Sequence, residues 1–284
     1  MRITWLFDPL PGAELEDPSG LQADALAARG HEVRIITAER PPALFGGKRA
    51  EWVELDDWRV VELAGDDFVV ATSPQTLRLA RDLAGRRAIV LEGATIVAEE
   101  IFQSPAPRQR ERLRVLLAGP SQSEARGIDE GYGAVAHARW FHQKLELVRV
   151  SPWAPSREEP LDSIDEFHVG LDGAELTRLL HSCDAAIVPS RSDETAVFPA
   201  AAALAAGLPS VVTDIPLHRF TPERDYAHFA PERNAVEQGE KLIELLTDEA
   251  LRSRLRTRGA EIARRWHPDT AGERLEKLLE QIGS

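Results

Sequence analysis

Along this chain the hydrophobic pattern alternates between two rhythms. Short continuous apolar runs, of strand length, are separated by stretches in which apolar residues recur every three or four positions. The runs predict strands at Ile3–Phe7, Glu32–Thr37, Trp58–Leu63, Phe68–Thr72 and Ala88–Glu92, and later at Arg114–Ala118, Leu145–Val150, Phe167–Gly170, Ala185–Val188, Ser210–Thr213 and Tyr226–Ala230. Helical spacing falls at Leu21–Arg29, Pro74–Leu83, Gly127–Trp140, after Leu171, from Pro199 to the stop at Gly207, and at Glu237–Thr247 and Glu249–Trp266. A final helix resumes beyond Pro268. Residues 38–51, with Pro41, Pro42, Gly46 and Gly47, read as a loop. Strands that alternate with helices predict parallel sheets of the doubly wound kind, and the alternation restarts near residue 113.

The most informative stretch is Ala185–Asp214, AAIVPSRSDETAVFPAAAALAAGLPSVVTD. Pro189 ends its first strand, and a polar loop runs from Ser190 to Thr195. Pro199 can start the Ala-rich helix, because a first-turn proline loses no hydrogen bond there. Gly207 and Pro209 end the helix, and Ser210–Thr213 is the next strand. The helix N-terminus therefore points to where an anion could sit.

This stretch resembles the signature of family-4 (group 1) glycosyltransferases, which have the GT-B fold. Glu194 stands at the first glutamate of that signature, Pro199 at its proline, and Gly207, Pro209, Val211 and Val212 at its end. The segments LDGAELTRLLHSCDAAIVPS and DIPLHR carry further resemblance, and ALAARGHEVRIIT resembles the opening of many GT-B enzymes. Two positions depart from the pattern. The second glutamate falls at Ala202, and the glycine after the first is Thr195. The resemblance implies an α/β protein with two Rossmann-like domains facing a cleft and a C-terminal helix crossing back to the first. The expected divisions are an abridged N-terminal, acceptor-side domain at 1–106, a nucleotide-sugar-binding domain at 107–268 and the crossing helix at 269–284, with Pro105 and Pro107 in the linker.

It also implies the chemistry. A family member moves a sugar from a nucleotide-diphosphate sugar to a glycan or small-molecule acceptor, with retention, and needs no side-chain nucleophile. In the family, the positive charge that faces the diphosphate normally comes from two basic residues in the loop after the second domain's first strand. Here that loop is AGPSQSEARGID: Arg126 and Gly127 match the second basic position and its glycine, whereas the first falls on Pro120 or Ser121. Arg126 either clamps phosphate oxygens or caps a turn. Glu194 either bonds a donor-sugar hydroxyl or stabilises a helix start. Gly119, Ser190 and the backbone of Thr195, Ala196, Val197 and Phe198 complete the donor side, with Ala202 at the ribose position. His168 and Val169 fall where the nucleobase meets backbone groups, although His168 also reads as an ordinary strand residue. Gly12 or Gly20 could form the acceptor-side glycine loop, or simply serve turns.

Composition narrows the rest. Of the 284 residues 43% are hydrophobic and 29% charged, as expected of a globular protein of one large or two ordinary domains. No apolar stretch of membrane-spanning length and no signal-like segment stands out, so a cytoplasmic protein is expected, with peripheral membrane contact left open. The formal charge of −13 argues against nucleic acid but not against a sugar nucleotide, which needs only a few local cations and amides. A lone cysteine, Cys183, excludes an internal disulfide and reads as a small buried hydrophobe. The histidines do not pair at ligand spacing, so no metal or other cofactor is expected. The oligomeric state is not legible. Ala202 and the missing basic residue keep open a non-catalytic relative that binds a sugar nucleotide or a protein, and a GT-B sugar-nucleotide epimerase ranks below both.

Overall fold

The computed structural model describes residues 1–7, 19–37, 49–55, 68–71, 78, 80–82, 84, 88–90, 95–102, 111–194 and 197–283. The chain divides into two compact units, Met1–Ala98 with Arg265–Ser284, and Glu99–Arg264.

The first unit holds a five-stranded sheet, built from β1 (Arg2–Leu6), β2 (Glu32–Thr37), β3 (Glu51–Glu54), β4 (Phe68–Ala71) and β5 (Ala88–Val90). Its order is β3-β2-β1-β4-β5 and every pairing is parallel. Alternation along β1 sends Ile3 and Trp5 to one face and Leu6 to the other. On the first face they meet Leu26 of α1 (Ser19–Ala28) and Leu275 and Leu279 of the last helix; on the second, Leu6 joins Ile36, Val69 and Ala71. Gly20 lies in the first turn of α1. Gly12, the expected strand Trp58–Leu63, most of the expected helix Pro74–Leu83 and the prolines Pro105 and Pro107 lie outside the described residues. The strand β3 was not expected, because EWVE is a half-exposed edge segment with no apolar run.

The second unit holds a six-stranded sheet of β6 (Leu113–Ala118), β7 (Leu145–Ser151), β8 (Glu166–Val169), β9 (Ala185–Val188), β10 (Ser210–Thr213) and β11 (His228–Ala230). The order is β11-β10-β9-β6-β7-β8, again all parallel. Numbered within the unit this is the 3-2-1-4-5-6 order of the Rossmann fold, and the order reverses between β6 and β9. The helices are α2 (Ile128–Phe141), α3 (Gly173–Leu180), α4 (Phe198–Ala205), α5 (Ala235–Thr247) and α6 (Glu249–Ala263). Glycines let α2 and α5 approach closely: a Cβ on Gly239 would lie 2.8 Å from the Ala134 carbonyl oxygen. Asp172 closes a capping box with Glu175 at the start of α3.

The last helix, α7 (Pro268–Gly283), belongs to the first unit and packs on α1. Its Gly272 faces Ala25, and Ala271 joins Ala25 and Ile96 in a small apolar cluster. Glu276 pairs with Arg29 and, at 3.0 Å, with His31. The expected return of the terminal helix to the first domain is thus met by apolar packing with an ionic edge. Leu279 is fully buried in that contact, so Leu279→Ala should cost about 2–5 kcal/mol. Urea denaturation followed by circular dichroism would detect this as a lower midpoint; an unchanged midpoint would mean that α7 is dispensable to the unit.

Candidate active site

In a doubly wound sheet the loops that leave the strand ends at the order reversal open away from each other and leave a crevice. Here those loops are residues 119–127 after β6 and 189–197 after β9. Each leads into a helix, α2 and α4, so two helix N-termini with partly unmet N–H groups begin at one sheet edge. Neither start carries a side-chain cap, and Pro199 occupies the first turn of α4.

The two loops touch through glycine. Gly127 takes the left-handed conformation, φ 61°, and a Cβ there would lie 2.1 Å from the Pro189 carbonyl oxygen. No other residue fits without moving a strand end. Gly119, at φ 125°, leaves room for the Arg126 stem, whose Cδ would sit 3.2 Å from a Cβ. The Arg191 backbone N–H donates to the Ala125 carbonyl at 2.7 Å, which stitches the loops together directly.

This contact brings Arg126 and Glu194 together. Arg126 Nε lies 2.9 Å from Glu194 Oε2, and the side chains are only 7% and 5% exposed. Arg126 therefore does not cap a solvated turn but sits buried against the other candidate. Beside this pair, Arg191 donates to Glu130 in the first turn of α2 at 2.8 Å and pairs with the exposed Glu124 at 3.4 Å. Both arginines of the crevice are therefore matched by carboxylates.

The strand behind the loop is tied in as well. Thr213, at the end of β10, donates its hydroxyl to the Ser190 carbonyl at 2.6 Å. His218 is 1% exposed and its Nδ1 lies 3.0 Å from the Thr213 carbonyl, which makes Nδ1 the protonated nitrogen. Burial pushes the His218 pKa below the ordinary imidazole range, against opposing pulls from the Thr213 carbonyl and the Glu194 charge. Asp214, next along, is clamped by Arg219 at 3.0 Å and Arg224 at 2.7 Å. Under α2, fully buried Arg149 donates to Glu159 at 3.0 Å and to the Tyr132 hydroxyl at 2.9 Å, and burial pushes the Tyr132 phenol up to about 12.

The other expected residues are placed as follows. Ser190 is buried behind the crevice, and Val197 and Phe198 open α4. Ala202 is buried inside α4 and presents only a methyl, so it has no side chain that could accept a hydrogen bond. His168 and Val169 lie on β8, two strands from β6 and so about 10 Å away along the same edge. His168 pairs with Glu166 at 3.1 Å, while Val169 is 46% exposed. Thr195 and Ala196 lie outside the described residues. Cys183 is buried, and burial pushes its thiol up to about 11. Among the described residues no group of three or more His, Cys, Asp or Glu could hold a metal ion, and no helix is long and apolar enough to cross a membrane.

Residues 165–262, which include the β9–α4 loop, match the profile of the family described as glycosyl transferases group 1. Among solved structures, a glycosyltransferase from Rickettsia africae is similar at a TM-score of 0.66 and 12% identity, over 99% of this chain and 98% of that one. Sucrose-phosphate synthase from Thermosynechococcus elongatus gives 0.68 and 13%, over 99% and 98%. WaaG, a glycosyltransferase involved in lipopolysaccharide biosynthesis, gives 0.66 and 15%, over 98% and 99%. No curated protein matches by sequence. The chain has the GT-B fold, and its residues 165–262 are related to the group 1 glycosyltransferases.

Arg191, His218 and the Arg149 network were not anticipated from the sequence of this GT-B chain. Arg149 had a signal, since it interrupts the apolar run Leu147–Val150 of an inner strand, where a charge must be paired. Burial of His218 had none. Because its folded-state pKa lies below the unfolded value of about 6.5, the unfolded chain binds the proton more readily. The stability it contributes is therefore complete above about pH 6.5 and lost as the pH falls below that. His218→Asn, whose amide can still donate to the Thr213 carbonyl, should flatten the fall in melting temperature between about pH 7 and 5. Parallel curves for the two proteins would contradict this.

Proposed function

We propose that this protein is a glycosyltransferase that takes a sugar from a nucleotide-diphosphate sugar, with the donor seated at the β6–β9 crevice of the second unit. The observation that carries the reading is the convergence of Arg126, Glu194 and two helix starts at that crevice. A leaving diphosphate gains negative charge as the bond from its oxygen to the anomeric carbon breaks. A guanidinium and backbone N–H groups stabilise that charge most where water is excluded. Arg126 takes the phosphate role and Glu194 accepts a hydrogen bond from a donor-sugar hydroxyl. Gly119 and Gly127 let the backbone come close to the diphosphate, and the Val197–Phe198 backbone continues the cradle. The electron pair of the broken bond stays on the phosphate oxygen, the acceptor oxygen forms the new bond, and its proton leaves through the donor phosphate. That path gives retention and needs no nucleophilic side chain. The acceptor is a glycan or a small molecule, and the base extends toward the β7–β8 edge, where His168 and Val169 lie.

A second reading has its own observation. Ala202 offers no bond to the ribose, and both crevice arginines are already matched by carboxylates. These favour a relative that binds a sugar nucleotide, or a protein partner, without turning it over.

Thermal melting with a panel of nucleotide-diphosphate sugars and free nucleotides tests the first step. A ligand at 100 times its dissociation constant should add about 2.7 kcal/mol, a rise of several degrees. With the donor so identified, Glu194→Ala and Arg126→Ala should each lower sugar transfer by about tenfold or more. Full transfer in both variants would overturn the site. Binding without transfer or hydrolysis in the wild type would favour the second reading.

A further inference from the structure

The edge of the second sheet carries an aromatic side chain that the fold does not use. Trp153 stands just past the end of β7 and is 37% exposed. Among the described residues its indole has no hydrogen bond and no ring contact, and only its backbone N–H is engaged, by the Ser151 hydroxyl at 3.2 Å. An indole left in this state offers apolar area and a flat π-face to a ligand.

The place of Trp153 relative to the crevice is fixed by the backbone. The Gly119 N–H, where the β6 loop begins, donates to the Val150 carbonyl at 3.0 Å, so the strand that receives Gly119 is the one that ends at Trp153. Buried Ser151 holds the other neighbour: its carbonyl accepts the Gly170 N–H at 3.1 Å, and its Cα is paired with that of exposed Val169. Trp153 and Val169 therefore leave adjoining strand ends at the same edge.

The segment behind Trp153 is also held from within. The chain crosses from β7 to β8 by a loop with a short 3-10 turn, Leu161–Ser163. In that loop Glu159, its side chain 2% exposed, receives Arg149 of β7 at 3.0 Å and the Tyr132 hydroxyl of α2 at 3.0 Å. Arg149 also donates to the Val150 carbonyl, the one that accepts Gly119, and lies 5.6 Å from the centre of the Phe167 ring on β8. Removing either buried charge would strand the other, so the loop is pinned at its middle. A surface fixed in this way binds a ligand without a large ordering cost.

We propose that Trp153 is the stacking platform for the donor's nucleobase, with Val169 beside it, and that it supplies affinity for any base rather than a choice among bases. This role rests on the donor-site reading, which directs the base toward the β7–β8 edge, and goes beyond it by naming the side chain and the kind of contact. A diphosphate seated at Gly119 leaves the base one ribose away, and the bonded neighbour of Gly119 leads straight to the indole. Stacking tolerates every base because each has a π-face, whereas discrimination needs hydrogen bonds to base edges.

Calorimetry with the full chain compares inorganic pyrophosphate with a panel of nucleoside diphosphates that differ only in base. Trp153→Ala should weaken every nucleoside diphosphate by about tenfold or more and leave pyrophosphate unchanged. Trp153→Phe, which keeps a smaller π-face, should recover most of the loss, and Trp153→Leu, apolar but without one, should recover less. Nucleotide binding should also quench part of the emission of the six tryptophans in the wild type, and Trp153→Phe should lose that quenching while still binding. Unchanged nucleoside diphosphate binding in Trp153→Ala, or undiminished quenching in Trp153→Phe, would overturn the proposal and leave the donor site standing. An equal loss of pyrophosphate, in a variant folded by circular dichroism, would overturn it as well, and a loss confined to one base would overturn its base-tolerant character. A wild type that binds no nucleoside diphosphate of the panel would overturn the donor-site reading and this role with it.

Discussion

At Gly127 the backbone of one loop rests on the backbone of another, and the crevice of the second unit depends on that touch. A Cβ there would lie 2.1 Å from the Pro189 carbonyl oxygen, at a φ that other residues rarely adopt. With glycine present, the end of β6 and the end of β9 come close enough for Arg126 to reach Glu194 and for Arg191 to bond the Ala125 carbonyl. The parallel order of the sheet supplies the rest. It puts β6 and β9 side by side at the reversal, so two loops distant in sequence start from neighbouring strands. Thr213 then fastens the β9 loop from behind, and His218 fastens Thr213.

Electrostatically the crevice differs from a simple anion hole. A site built only to attract phosphate would leave its arginines in search of a counter-charge. Here each has one, and the pair nearest the loop contact is the more deeply buried. Buried pairs of this kind add little net stability, because the Coulomb gain roughly offsets desolvation, but opening one by removing a single partner is costly. The pair therefore contributes little to holding the fold together. The fold is held by the apolar faces of the two sheets and by helix contacts such as those of α2 with α5 and α1 with α7.

Most strands of the second unit were legible to within a residue or two, because a parallel strand covered on both faces must be apolar throughout and so stands out as a run. Ala185–Val188 and Ser210–Thr213 are the clearest cases. The edge strand Glu51–Glu54 was not, since half-exposed edges need no such run. Gly20 read as part of a turn because glycine disfavours helices, yet tertiary packing of α1 overrides that weak preference. At the site, the residue types were legible and their relation was not. Arg126 and Glu194 could be named singly from the motif frame, but their ion pair requires the strand order, which a sequence does not state. His218 is likewise an ordinary letter in IPLHRF until the fold buries it.

A donor seated at the β6–β9 crevice, as proposed, would meet the Arg126–Glu194 pair. The most direct measurement is a crystal structure of the protein with a non-hydrolysable nucleotide-diphosphate sugar. The expected result is a phosphate oxygen within hydrogen-bond reach of Arg126, about 2.7–2.9 Å, and a sugar hydroxyl on the Glu194 carboxylate. A ligand bound elsewhere, with Arg126 still seated on Glu194, would contradict it.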